Sequence, residues 1–486
     1  MTIGRPASPT SGPLTTALQT GSTGESMASK SDLKSGILSP LESVGQSIAN
    51  VAPTATPAMI ISQVFALSGN GTWLAYLIAT VGVALVAANI NQFARSSASP
   101  GSLYSYTARV LPSFWSVSSA WSLVIAYICT AIAITGGLTS YANVLLQSLG
   151  WPAVHPALLT IFAIGAAGVL AYRDVTLSAR LMLTLEGIAI VIILVIVGCT
   201  LYGHGFTLDQ SQFKLQGVTP GNLQLGLVLA IFSFVGFESA TSLGAEARNP
   251  FRSVPRAVML SAVCSGILFT ICSYVEVLGF RGASQPLSQS LAPLNFLALK
   301  AGLPVLGLLI DVSAVVSFFS CSLACITAAA RVLFDMGRRG DAHAPFGDAH
   351  TSNQTPHRAV VFTAGCAIIP GVILAVRGVP GFDINGWLGT LATFGFLVAY
   401  ILVCISAPFY LRERGELTVT AAALSVSAIA VMLVAFAGSI YPVPPFPYSW
   451  LPYIFLVLLG AGVLSSYRIR SRASRVTYAA TESDFA

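Results

Sequence analysis

In residues 231–258, IFSFVGFESATSLGAEARNPFRSVPRAV, a glycine, an acid and small hydroxyl residues cut through an otherwise apolar run. If that run crosses a bilayer, a charge near its middle costs about 2.5 to 3.5 kcal/mol on insertion scales, so Glu238 must hold a proton, meet a cation or face a cavity. A second interruption lies in ANVAPTATPAM (49–59), where Pro53 and Pro57 stand four residues apart. Each proline removes a backbone donor and clashes with a preceding carbonyl, so a helix is expected to break there.

Broken helices present chemistry of opposite sign at their two kinds of end. The half-helix after the first break would offer amide N–H groups around Thr54, Ala55 and Thr56, which favour a carboxylate. The half-helix ending before Gly236 would offer carbonyls from about Phe232 to Val235, which favour an ammonium group. Lipid can satisfy neither set, so a shared cavity is implied. That pairing suits the zwitterionic head of an α-amino acid. The candidate substrate-binding residues are therefore Ala52, Pro53, Thr54, Ala55 and Thr56 with Phe232, Phe234, Val235, Gly236, Phe237 and Glu238, Phe237 serving as a lid.

The elements that must position these residues are membrane-crossing helices. The chain has 486 residues, 55% of them hydrophobic and only 9% charged, far below the quarter usual in a soluble domain. Apolar runs of about 20 residues suit helices through roughly 30 Å of hydrocarbon, giving an all-α polytopic membrane protein. Twelve crossings are expected, at about 41–68, 73–94, 113–146, 153–172, 176–202, 222–245, 256–280, 302–335, 358–376, 386–409, 417–440 and 449–467. Residues 1–40, rich in Ser, Thr, Gly and Pro, read as a disordered tail rather than a cleaved signal. Residues 41–409 form a ten-helix core, 410–467 two additional crossings, and 468–486 a basic-then-polar tail beside anionic lipid.

With the N-terminus inside, 20 of the 24 basic residues fall on the cytoplasmic side, leaving Lys214, Arg281, Lys300 and Arg377 outside. That asymmetry places both termini in the cytoplasm. The interrupted segments are crossings 1 and 6, five apart. Since five is odd, residues 41–202 and 222–409 would enter from opposite sides, as an inverted repeat.

The stretch FSFVGFESATSLGAEARNPFRSVPRAV resembles the sixth-helix signature of the amino acid, polyamine and organocation permease superfamily. SPGSLYSYTARVLPSFW (99–115), LSARLMLTLE (177–186) and AAARVLFDMGRRG (328–340) are similar to its loop before helix 3, the start of helix 5 and the end of helix 8. The resemblance spans roughly 40–470. It implies the LeuT-type fold of five plus five inverted helices, here with two more, and secondary active transport with substrate between helices 1 and 6. This chain departs from the family in having APTATP where many members have a glycine-rich break. Some members also carry a lysine in helix 5; here no lysine falls within a predicted crossing.

Four acids fall within predicted crossings, away from their end residues: Glu186, Glu238, Glu276 and Asp311. Glu186, about ten residues into helix 5, lies near mid-membrane, where burial disfavours the ionised form and suits a proton carrier as well as a neutral, hydrogen-bonded acid. Glu238 is assigned to gating or proton exchange, Glu276 to an interfacial pair with Arg281, and Asp311 to a structural role. Glu246, among Arg248, Arg252 and Arg256, is expected to hold an inner gate. The coupling ion is read as H+; Na+ is the alternative, because helix 1 carbonyls with Ser317 or Ser320 would suit a hard cation.

Other classes fit less well. All five histidines lie in loops and neither GxSxG nor HExxH occurs, which argues against an intramembrane enzyme. The eight cysteines, Cys321 and Cys325 included, read as packing residues, with no metal or other cofactor. Basic residues between helices are topology signals, so nucleic acid is not an expected partner. A channel or a membrane sensor would share the cavity without alternating states; the oligomeric state is open.

Overall fold

Proline has no backbone donor to leave unsatisfied, and in the computed structural model it opens helices at Pro40, Pro156, Pro220, Pro250, Pro293 and Pro304. The structure describes residues 33, 36–173, 176–441 and 443–483, the side chains of 174–182 and 473–483 excepted. Most of the expected N-terminal tail, and the last residues of the C-terminal one, lie outside the described residues.

The first crossing is two pieces. Helix α1 (Pro40–Val51) starts on a capping box in which Ser39 and Glu42 satisfy one another's backbone amides. It ends at Ala52 in the left-handed region (φ 48°), and a π-turn over Thr56–Ile60 leads into α2 (Ile61–Ser68). Next come α3 (Thr72–Ala94), a short helix α4 (Ser102–Val110), α5 (Ser113–Ser148), α6 (Pro156–Arg173) and α7 (Thr176–Gly203). A single turn, α8 (Gln210–Phe213), precedes α9 (Pro220–Phe232), the shortened sixth run. Then follow α10 (Pro250–Gly279), α11 (Pro293–Lys300), α12 (Pro304–Arg338), α13 (His357–Val376), α14 (Gly381–Glu413), α15 (Val419–Gly438) and α16 (Leu451–Ser483).

Ten stretches of the described residues are long and apolar enough to cross a membrane, with 40–94, which holds α1 to α3, counted as one. The chain is thus an all-helical, multi-pass membrane protein. Among the described residues the only β-pairing is an isolated parallel bridge between Leu38 and Ala247, in which the Leu38 N–H donates to Glu246 (3.0 Å) and the Arg248 N–H to Leu38 (2.9 Å).

Three boundaries differ from expectation. Proline at the first helical turn has no donor to lose, so α10 begins at Pro250 rather than 256. The basic segment after 467 continues α16 to Ser483 instead of leaving the helix. Helices α4 and α11 form where loops are expected, because eight or nine residues of mixed polarity carry too little periodic signal.

Helices α5, α12 and α14 are the most enclosed, while α6, α7, α15 and α16 turn much of their apolar surface outward. Phe162, Val169, Val191, Val426 and Val457 are exposed there, as hydrocarbon-facing residues should be. Where helices lie closest, small residues allow it, since lipid tails provide little drive for helix association. A β-carbon on Gly395 of α14 would meet the Ser122 carbonyl of α5 at 2.5 Å and the Ala126 methyl at 2.9 Å. Gly395→Val is therefore expected to destabilise the bundle by about 1 to 3 kcal/mol, read as a lower melting temperature in detergent. An unchanged melting temperature would show that α5 and α14 are free to separate.

Candidate functional site

The two interruptions lie against each other. After Val51 the chain makes one left-handed residue, Ala52, then Pro53, and resumes helical hydrogen bonding with Ala55 N–H to the Ala52 carbonyl (2.9 Å). After Phe232 it tightens into three-residue turns through Val235, swings at Gly236 (φ 92°) and passes Glu238 into the 3-10 turn Ser239–Leu243. Gly236 is required twice over: its φ disfavours any side chain, and a β-carbon would stand 2.4 Å from Asn50 Cγ.

Seryl hydroxyls stitch the segments together. Ser47 Oγ donates to the Phe237 carbonyl (2.9 Å) and accepts from the Ala240 N–H (3.1 Å); Ser239 Oγ donates to the Gln46 carbonyl (3.3 Å). From α12, Cys321 and Cys325 close the group, their thiols donating to the Asn50 carbonyl (3.0 Å) and side-chain Oδ1 (2.9 Å). Asn50 Nδ2 is buried with no hydrogen-bond partner. The paired cysteines are free thiols, and no group of three His, Cys, Asp or Glu suited to a metal occurs among the described residues.

Glu238 is enclosed by two phenols. Tyr127 of α5 donates to Oε1 (2.6 Å) and Tyr400 of α14 to Oε2 (2.8 Å), while the Phe237 ring packs on Tyr400 with centroids 5.4 Å apart. Among the described residues no basic side chain bonds to this carboxyl. Glu186 of α7 reaches the other break: Thr54 Oγ1 donates to its Oε2 (2.7 Å). Its Oε1, and Ser317 Oγ of α12, are buried with no partner.

The structure alters several expectations. Every residue assigned to substrate is buried; Thr54, Phe234, Phe237 and Glu238 have no exposed surface at all. The implied cavity is closed, because Asn50, the two thiols and the two phenols fill the space between the breaks. Five hollows are prominent among the described residues, and none of them is lined by the interruptions themselves, residues 50–60 and 233–243. The Phe232 and Phe234 carbonyls are not free acceptors; they take the Val235 and Phe237 N–H groups (3.1 Å each). The carboxylate beside Thr54 is the chain's own Glu186.

At the inner gate, Glu246 pairs with Arg331 of α12, both its oxygens 2.9 Å from one guanidinium nitrogen and both side chains buried. The expected cluster around it does not form: Arg248 and Arg252 are exposed, and Arg248 Nε instead donates to the Gly36 carbonyl (3.3 Å). Glu276 does not meet Arg281. It is fully buried with both oxygens unpartnered, and Arg281 turns to Asp209 (3.0 Å) and Asn70. Asp311 accepts from Asn295 of α11.

Asn50, Tyr127, Tyr400 and Arg331 were missed as site residues. The sequence does carry a signal for each: an amide just before the Pro53 break, two hydroxyls inside apolar runs, and a lone arginine one turn inside an apolar helix whose acidic complement had to lie on another segment.

Comparison with known proteins agrees with this architecture. The amino acid permease family model matches residues 43–471. The chain is 25% identical to the methylthioribose transporter of Bacillus subtilis, covering 85% of this chain and 89% of that protein. It is 21% identical to the branched-chain amino acid permease BcaP of the same organism (74% and 79% covered), and 24% identical to the low-affinity putrescine importer PlaP of Escherichia coli (71% and 75%). On the match over nearly its whole length, the chain belongs to the amino acid permease family, whose members are membrane transporters.

Proposed function

We propose that this protein carries an amino acid across the cytoplasmic membrane by alternating access, as a proton-coupled symporter, with both termini in the cytoplasm. The observation that carries the reading is the contact between two interrupted crossings, 52–55 and 233–238, packed shut around Asn50 and Glu238. In this reading the chain makes twelve crossings. The break in the first recurs in the sixth, so 41–202 and 222–409 are inverted copies with the solute between them.

The packed centre is the occluded member of the cycle. Opening it takes the 233–240 segment off α1, which exchanges the Ser47, Ser239 and thiol hydrogen bonds for contacts with a solute. Backbone amides after Ala52 and the carbonyls near Gly236 then meet the carboxylate and ammonium of the cargo. Ala52 to Thr56, Phe232, Phe234, Val235, Gly236 and Phe237 line that contact.

Glu186 and Glu238 are the coupling groups. Each is a buried acid without a basic partner, so carrying a proton inward removes its charge during the step in which it is most enclosed. Glu246 with Arg331 forms the inner lock, which must part to release cargo. A second reading, amine transport, is favoured by one observation: the sole charged side chain at the 233–238 break is an acid. Uptake of labelled leucine, putrescine and methylthioribose into proteoliposomes separates the two.

Glu238→Gln is expected to lower uptake at least tenfold at normal membrane expression; wild-type uptake would remove Glu238 from the mechanism. Glu186→Gln should leave binding in place while flattening the response of uptake to an imposed pH gradient. Stimulation of the unaltered protein by a sodium gradient, and not by a proton gradient, would replace H+ as the coupling ion. Arg331→Ala leaves Glu246 buried and unpaired, at a cost of about 3 to 5 kcal/mol, whereas pairing it with Glu246→Ala should recover most of the melting temperature. If the double variant melts as low as the single one, the two side chains do not act as a pair.

A further inference from the structure

We infer that the hollow where α1 meets the start of α10 binds the phosphate headgroup of an anionic phospholipid. The hollow measures about 830 Å³ and is built from two kinds of wall. One carries Arg248, Arg252 and Arg256; the other carries Leu41, Val44 and Leu260. Arg252, Arg256 and Leu260 lie four residues apart on one face of α10. The guanidinium groups therefore stand at the helix end, and the apolar residue about 6 Å further along, at 1.5 Å per residue. Charge at the rim followed by oil is the order in which a phospholipid presents its headgroup and chains.

Among the described residues no carboxylate pairs with these three arginines. The side chains of Arg252 and Arg256 make no hydrogen bond or ion pair among the described residues, and the Arg248 guanidinium spends only its Nε, on the Gly36 carbonyl. The nearby acids are engaged elsewhere, Glu246 with buried Arg331 and Glu42 with the Ser39 N–H. Asn249 places no side-chain cap on the 30-residue helix α10, so its positive end also opens into the hollow. Guanidinium forks match phosphate oxygens in pairs, and Pro250 opens a stretch long and apolar enough to cross the bilayer, so the phosphates at hand are those of lipid. Leu41 and Leu260, 58% and 51% exposed, supply the surface for the first acyl carbons.

The test uses the full chain carrying Leu41→Trp in phosphatidylcholine vesicles that contain brominated phosphatidylglycerol or brominated phosphatidylcholine. After subtraction of the signal from the native tryptophans, quenching is expected to be several-fold stronger with the anionic lipid. Arg252→Gln with Arg256→Gln should abolish that preference, and Arg377→Gln, on a different helix, should leave it intact. Equal quenching by the two lipids overturns the assignment, and this comparison stands without the double variant should that variant fail to fold. Relief of quenching by inorganic phosphate at millimolar concentration would assign the hollow to a soluble anion and overturn it as well.

Discussion

A peptide group inside hydrocarbon has no water to turn to, and everything at the centre of this protein follows from that constraint. Two crossings give up their helical hydrogen bonds at similar depth, around Ala52 and around Gly236. Each finds replacements in the other: the Ser47 hydroxyl bridges the Phe237 carbonyl and the Ala240 N–H, and Ser239 reaches back to Gln46. The breaks are tolerable as a pair, because either one alone would leave donors and acceptors facing lipid. Gly236 is the residue that lets them meet, since any side chain there would overlap Asn50.

The same constraint sorts the buried acids. Glu246 is neutralised by a guanidinium, whereas Glu238 and Glu186 take hydroxyl donors and, among the described residues, no basic side chain. Glu276 has no hydrogen-bond partner among the described residues. An ion pair fixes a position, whereas a carboxyl held by phenols can change protonation without losing its contacts. That difference in partners is why we propose Glu246 as a lock and Glu186 and Glu238 as coupling groups.

Much of this was legible in the sequence. Proline, glycine and acid at 53, 57, 236 and 238 located both interruptions, and most crossings began and ended within a few residues of the apolar runs. What the sequence did not carry were partners distant in the chain. Tyr127 and Tyr400 are 111 and 162 residues from Glu238, and Arg331 is 85 from Glu246, so local pattern assigned Glu246 to its neighbours Arg248 and Arg252. Nor does composition reveal which conformation is populated; a closed centre and an open one need the same residues. The missed helices α4 and α11 are short, and tertiary packing rather than periodicity holds them.

The bridge between Leu38 and Ala247 ties the strand leading into α1 to the turn leading out of the sixth crossing. Its two main-chain bonds carry no dependence on side-chain identity, and they clasp the feet of both half-helices below their seryl contacts. Since these bonds lie outside the 233–240 segment, parting that segment from α1 would pivot about a tether at the feet rather than free the two pieces from each other.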